Sequence, residues 1–107
     1  MKTTPMWRHS VDRCDGRATV ALTGELDVSV RDDLRALLLS EITRTGTKRV
    51  EADLSGVTFM DSSAIGSLVT AHSVAYDHGN QFLVANASHR VRRVLEITGL
   101  FEVLTVH

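Results

Sequence analysis

The spacing of apolar side chains along this chain switches between two residues and three-to-four, and each switch marks an element boundary. Val50, Ala52 and Leu54 alternate with Glu51 and Asp53, the period-two pattern of a half-buried strand. Ser55-Gly56 interrupts it, and Val57 to Met60 reads as a short apolar connection. From Asp61 the period lengthens. Ile65, Leu68, Val69, His72, Ala75 and Tyr76 fall on one side of a helix. Asp61 is its natural N-cap, because a carboxylate there accepts from the free N–H groups of the first turn. Ser62 and Ser63 then occupy that turn, where the unpaired N–H groups and the helix dipole favour an anion.

The flanking segments yield to the same reading. Residues 1 to 16 are polar, with Pro5 and Gly16 as breakers and Met6, Trp7 and Val11 as the large apolar side chains. They predict a short edge strand within Trp7 to Cys14, Trp7 lying over the core, and a hairpin turn at Asp15-Gly16. Arg17 to Thr23 alternates as a strand, with Ala18, Val20 and Leu22 facing one way. Gly24-Glu25-Leu26-Asp27 leaves that strand, and Asp27 or Ser29 caps the helix that follows. Leu34, Leu37, Leu38 and Ile42 give this helix its buried stripe, with Val30 one turn earlier. Arg31, Asp32, Asp33, Arg35, Glu41 and Arg44 are expected on its solvated side, and Gly46 at its C-cap.

After the central strand and helix, His78-Gly79-Asn80 is a stop signal, and Phe82 to Ala85 is apolar enough for a strand buried on both faces. Ser88 caps a third helix with the stripe Val91, Val94, Leu95 and Thr98. Gly99 ends that helix, and Phe101 to Val106 reads as a last strand. Strands alternating with helices predict crossovers, hence an α/β fold with a mixed, mostly parallel sheet of about four to five strands. The helices are expected mainly on one face, leaving the other partly open.

Composition narrows the function classes. A chain of 107 residues supports one core, so residues 1–107 are expected as a single domain: 1–16 an N-terminal edge strand and turn, 17–107 the body. A net charge of −1 creates no field that recommends nucleic acid or an anionic membrane. The single Cys14 excludes an internal disulfide and fits a reducing compartment. No apolar run is long enough to cross a bilayer, and Met1 to Ser10 lacks the apolar block of a secretory signal. The expectation is a cytoplasmic protein, a monomer or weak dimer.

Ser62 and Ser63 would act as nucleophiles only if a base reached them. The histidines at positions 9, 72, 78, 89 and 107 have neither triad nor metal spacing. His72 is expected at the core edge, and His78 at a helix C-terminus, where its charge suits the dipole. There is no cysteine pair, no His-Glu-x-x-His and no glycine-rich phosphate loop. No enzyme, metal or cofactor is therefore expected. Arg90, Arg92 and Arg93 lie near Glu96 without aromatic companions, which reads as a solvated face and not a nucleic-acid surface. On periodicity alone, Asp61-Ser62-Ser63 serves equally as a bare helix start.

A resemblance shifts that balance. Phe59-Met60-Asp61-Ser62-Ser63-Ala64-Ile65-Gly66 is similar to the Asp-Ser-Ser-Gly-Leu-Gly signature of anti-sigma-factor antagonists, the single-domain members of the STAS family. Gly24-Glu25-Leu26-Asp27 resembles that family's Gly-Glu-Leu-Asp segment, and Ile97-Thr98-Gly99-Leu100-Phe101 its Gly-Leu-Phe. Together they span roughly residues 17 to 106. The resemblance implies that Ser63 is phosphorylated by a partner anti-sigma factor with serine kinase activity, and that a phosphatase resets it. Unphosphorylated, the chain would bind that partner and free a sigma factor.

Loops at the carboxyl ends of neighbouring parallel strands lie side by side. The expected contact surface therefore lies in the Gly24–Ser29 loop and the Phe59–Gly66 segment, joining Glu25, Asp27 and Ser29 to Met60, Asp61, Ser62, Ser63, Ala64 and Gly66, with Asp27 also free to cap its helix. Two features depart from the family pattern. Ala64 stands where glycine is usual, adding bulk beside the phosphosite. The family also commonly continues into a further C-terminal helix, so either the sequence is trimmed there or its edge strand is less covered. Two other roles share the resemblance: a STAS subunit docked on a transporter ATPase, and a scaffold component of a stress-signalling assembly.

Overall fold

The computed structural model describes residues 7–105; Pro5, Met6 and Val106 of the sequence reading lie outside the described residues. In chain order the elements are β1 (Trp7–Cys14), β2 (Arg17–Leu26), a single 3₁₀ turn (Val28–Val30), α1 (Arg31–Ile42), β3 (Arg49–Met60), α2 (Ser62–Asp77), β4 (Gln81–Ala85), α3 (His89–Ile97) and α4 (Phe101–Thr105). The four strands form one mixed sheet in the order β1-β2-β3-β4. β1 and β2 are an antiparallel hairpin running from Trp7 opposite Gly24 to Cys14 opposite Arg17. Asp15 and Gly16 turn it with φ of 51° and 81°, the doubly left-handed turn that matches strand twist. β2, β3 and β4 are parallel, joined by crossovers through α1 and α2.

Alternation on the strands decides which face carries the core. Val20, Ala52 and Val84 lie side by side in the register, as do Ala18, Val50 and Phe82 on their own strands. All are buried against Leu34, Leu38 and Ile42 of α1, Leu68 and Ala71 of α2, Leu95 of α3 and Leu104 of α4. The intervening Thr19, Ala21, Glu51 and Asp53 are half-buried, so the opposite face is partly open. Trp7 and Val11 pack against the edge of the core, and Ser88 Oγ accepts from Val91 N at 3.3 Å to cap α3.

Several local expectations give way to tertiary context. β3 does not stop at Leu54. Its pairing with β2 resumes at Thr23 opposite Gly56 after a register shift, and runs on to Leu26 opposite Met60. Ser55-Gly56 is thus a bulge and not a strand end. Asp53 Oδ1 accepts from Ser55 N at 2.9 Å, which satisfies an amide of the bulge and holds the Asp53 carboxyl below its ordinary range. A Cβ on Gly56 would fall 2.5 Å from Thr23 Cγ2 and 3.2 Å from the Leu22 carbonyl. Gly56→Ala is therefore expected to cost about 1–3 kcal/mol, read as a lowered denaturant midpoint with an unchanged slope.

α1 starts later than Ser29 and ends earlier than Gly46. Asp27 caps the 3₁₀ turn, Val30 stands at the N-cap of α1, and Thr43 is its C-cap. Gly46, at φ 88°, belongs to the loop beyond. Glu41, expected in solvent, is 4% exposed. It accepts two hydrogen bonds from Arg13 of β1, Nε to Oε1 at 2.9 Å and Nη2 to Oε2 at 2.6 Å. The hairpin carries Arg13 to the helix side of the sheet, where α1 presents Glu41.

On α2 the buried face is Ala64, Ile65, Ser67, Leu68, Ala71 and Ala75, rotated from the expected stripe towards small side chains. Tyr76 is left 80% exposed, while Val69 and His72 are half-buried. Leu37 of α1 and Val94 of α3 are half-buried edges of their stripes, and Thr98 is exposed.

The expected last strand is the helix α4. Leu104 N donates to the Leu100 carbonyl at 3.0 Å, and Leu104 is fully buried, so the segment is held by an i, i+4 pattern and not by alternation. α4 packs against β4. The edge of the sheet on this side is therefore β4 and not a strand at Phe101 to Val106.

Candidate functional site

The carboxyl ends of β2 and β3 leave the sheet together. Glu25 lies opposite Phe59 and Leu26 opposite Met60, and Asp61 N then donates to the Leu26 carbonyl at 3.1 Å. Each chain turns at once into a capped helical start. Asp27 Oδ1 accepts from Ser29 N at 2.9 Å and from Ser29 Oγ at 2.5 Å. These bonds, the hydroxyl's first, hold the Asp27 carboxyl below its ordinary range, so it stays ionised at neutral pH. Asp61 Oδ1 accepts from Ala64 N at 3.1 Å, which leaves Ser62 and Ser63 on the first turn of α2.

A second tie joins the two starts one turn further on. Ser67 Oγ donates to the Arg31 carbonyl at 3.0 Å and also lies 3.5 Å from the Ser63 carbonyl. Ser67 is 3% exposed; its partner is 36 residues away, and no sequence pattern marked it.

The nine expected contact residues fall into three groups. Ser29, Ser62 and Gly66 are exposed; Glu25, Asp27, Asp61 and Ser63 are half-buried. Met60 and Ala64 are buried in the core, so they position the surface without forming it. The Ala64 methyl therefore points inward, and its bulk relative to glycine is spent against the core. A Cβ on Gly66 would meet nothing within 4 Å. Two apolar side chains inside the expected contact segments, though not singled out there, are both exposed: Val28 and Phe59. Alternation did not mark their exposure: Val28 shares the parity of buried Leu26 and Val30, and Phe59 that of buried Val57, until the second register shift of β2 against β3 turns it out.

No group of three or more metal-ligating side chains gathers among the described residues. His72 is nine residues beyond Ser63, about 13 Å along the helix axis. His78 is the C-cap of α2, its Nδ1 3.0 Å from the Val74 carbonyl. Among the described residues, no helix is long and apolar enough to cross a membrane. Arg90, Arg92 and Arg93 are exposed and Arg92 pairs with Glu96 at 3.1 Å, but it also lies 4.6 Å over the Phe101 ring, an aromatic companion that the sequence reading did not expect. The arrangement suits docking and modification of a serine.

The chain belongs to the STAS domain family, whose sequence profile matches residues 10–107. It is similar to the anti-sigma F factor antagonist of Paenibacillus polymyxa, 28% identical over 92 residues, covering 86% of this chain and 79% of that protein. It is also similar to the anti-sigma-B factor antagonist of Staphylococcus aureus, 30% identical over 88 residues, covering 82% and 81% respectively. Its fold matches that of the anti-sigma factor antagonist SpoIIAA in the unphosphorylated form, with a TM-score of 0.77 and 22% identity over 88% of this chain and 83% of that one. The phosphorylated form of the Bacillus SpoIIAA matches with a TM-score of 0.70 and 21% identity over 87% and 85%.

Proposed function

We propose that this chain is an anti-sigma-factor antagonist that works as a phosphorylation-controlled partner switch in the cytoplasm. The observation that carries the reading is the pole where the capped Asp61-Ser62-Ser63 helix start is hydrogen-bonded to the Gly24–Ser29 turn through Leu26 and Asp61, in a family whose relatives bear that name. Unphosphorylated, this pole docks on an anti-sigma factor with serine kinase activity and so releases a sigma factor. The kinase then moves the γ-phosphoryl group of ATP to Ser63 Oγ, the hydroxyl proton leaves, and ADP is released. The phosphate brings about −1.5 to −2 charge and three acceptor oxygens, next to Asp61 and inside a contact that must shed water. The complex separates. A phosphatase hydrolyses the ester and restores the hydroxyl.

In this scheme the domain is a kinase substrate and not a catalyst, and it needs no cofactor, nucleic acid or membrane. The test is the intact mass of the protein after incubation with ATP and purified anti-sigma-type serine kinases, beside Ser63→Ala. One phosphate gained by the native protein, none by the variant, and loss of binding after modification are expected. Absence of modification together with retention of a transporter ATPase overturns the reading.

A further inference from the structure

Val28 is 59% exposed and Phe59 43% exposed, although Leu26, Val30 and Met60 beside them are buried in the core. Both are held near Ser63 by backbone that has little freedom. The turn carrying Val28 is tied to the start of α2 at its two ends, by Asp61 N to the Leu26 carbonyl at 3.1 Å and by Ser67 Oγ to the Arg31 carbonyl at 3.0 Å. Phe59 comes from the other side, opposite Glu25 in the sheet and four residues before Ser63, hence at most about 14 Å away along the backbone. Two of the carboxylates beside them are already occupied, Asp27 by Ser29 and Asp61 by Ala64 N, and the third, half-buried Glu25, lies opposite Phe59. The pole therefore shows a partner two apolar tips beside two occupied carboxylates, Glu25 and the Ser62-Ser63 turn.

We infer that Val28 and Phe59 form an apolar collar that seats in a pocket of the anti-sigma factor and sets the strength of the Ser63 switch. This rests on the partner-switch reading and adds a cause to it. In a wet contact, water and salt would screen a phosphate, and its penalty would be small. A collar of apolar side chains excludes that water. A serine hydroxyl tolerates such a dry contact with one hydrogen bond, whereas a dianion loses hydration that nothing replaces. Affinity and switching then share one source: whatever makes the unphosphorylated complex tight also makes the phosphate costly. Interface energy concentrates on a few side chains seated in well-packed, desolvated pockets, with the surrounding contacts serving to exclude water.

The experiment uses the serine-kinase anti-sigma factor that modifies Ser63, loaded with ADP so that no transfer occurs. Its affinity is measured for native protein, Val28→Ser, Phe59→Ser, the double variant and Phe59→Leu, each also in the Ser63-phosphorylated form. Each serine variant is expected to bind about tenfold more weakly, with Phe59→Leu close to native. The phosphorylation ratio should shrink about five- to tenfold in the double variant relative to native, the mark of coupled groups. Unfolding midpoints should stay near native, because both side chains are exposed. Unchanged affinity, or an unchanged phosphorylation ratio, overturns the collar while leaving the switch intact. So does an effect confined to self-association of the protein, measured by sedimentation. If the native protein is neither bound nor modified, the partner-switch reading fails and the collar fails with it.

Discussion

Phosphorylation of Ser63 is expected to weaken binding to the kinase partner by about a hundredfold or more, equivalent to about 2.8 kcal/mol, while moving the unfolding midpoint by no more than a few degrees. Two opposed local effects keep the fold indifferent. The first turn of α2 has unpaired N–H groups, and an anion there gains about 0.3–1 kcal/mol from the helix dipole. Asp61, the N-cap of α2, repels the same anion by a similar order. In the free protein Ser63 is half-buried at the rim, so water solvates the phosphate. In a complex the partner displaces that water, and the desolvation cost is then large. Thermal unfolding and binding measured on one phosphorylated sample check both halves. A collapse of the midpoint would mean that release follows from unfolding.

Arg13→Ala is expected to destabilise the protein at neutral pH, read as a lowered urea midpoint. Stripping the partner from a fully buried ion pair costs about 3–5 kcal/mol. Here the Glu41 side chain is 6% exposed but that of Arg13 is 45% exposed, so the loss is discounted for screening. Glu41→Leu removes both the buried charge and its need for a partner, and should be much milder. The pair also sets a pH dependence. The Arg13 hydrogen bond holds the Glu41 carboxyl below its ordinary range, against the opposing pull of burial. Its stabilisation is therefore complete above the unfolded value of about 4.3, and is lost as pH falls through the lower folded value. Asp53 and Asp27 are shifted the same way by Ser55 and Ser29 and add to the acid sensitivity. In Arg13→Ala the desolvation of Glu41 is opposed only by the more distant charge of Arg44, so urea unfolding between pH 3 and 6 should show a flatter acid limb than native. An equally steep limb would assign the acid sensitivity to the two aspartates.

By itself the sequence determined whatever depends on neighbours within a turn or two. The alternation of Ala18, Val20 and Leu22, the Asp15-Gly16 hairpin, the caps at Asp61 and Ser88 and the stop at Gly99 all rest on local periodicity, local hydrogen bonds or backbone sterics. For that reason the α/β order and the seat of Ser63 on a capped helix start were readable without coordinates. Tertiary structure decided what depends on residues far apart in the chain. β3 runs through Ser55-Gly56 because β2 lies beside it and Thr23 leaves room there only for glycine. Glu41 is buried because Arg13, 28 residues away, supplies two hydrogen bonds. Tyr76 faces solvent because the small residues of α2 are the ones turned into the core. Phe101–Thr105 is a helix because Leu104 finds the core beside β4. The proposed docking pole divides in the same way: its serines were visible in the sequence, but the Ser67 tie and the exposure of Val28 and Phe59 required the ends of β2 and β3 to lie side by side.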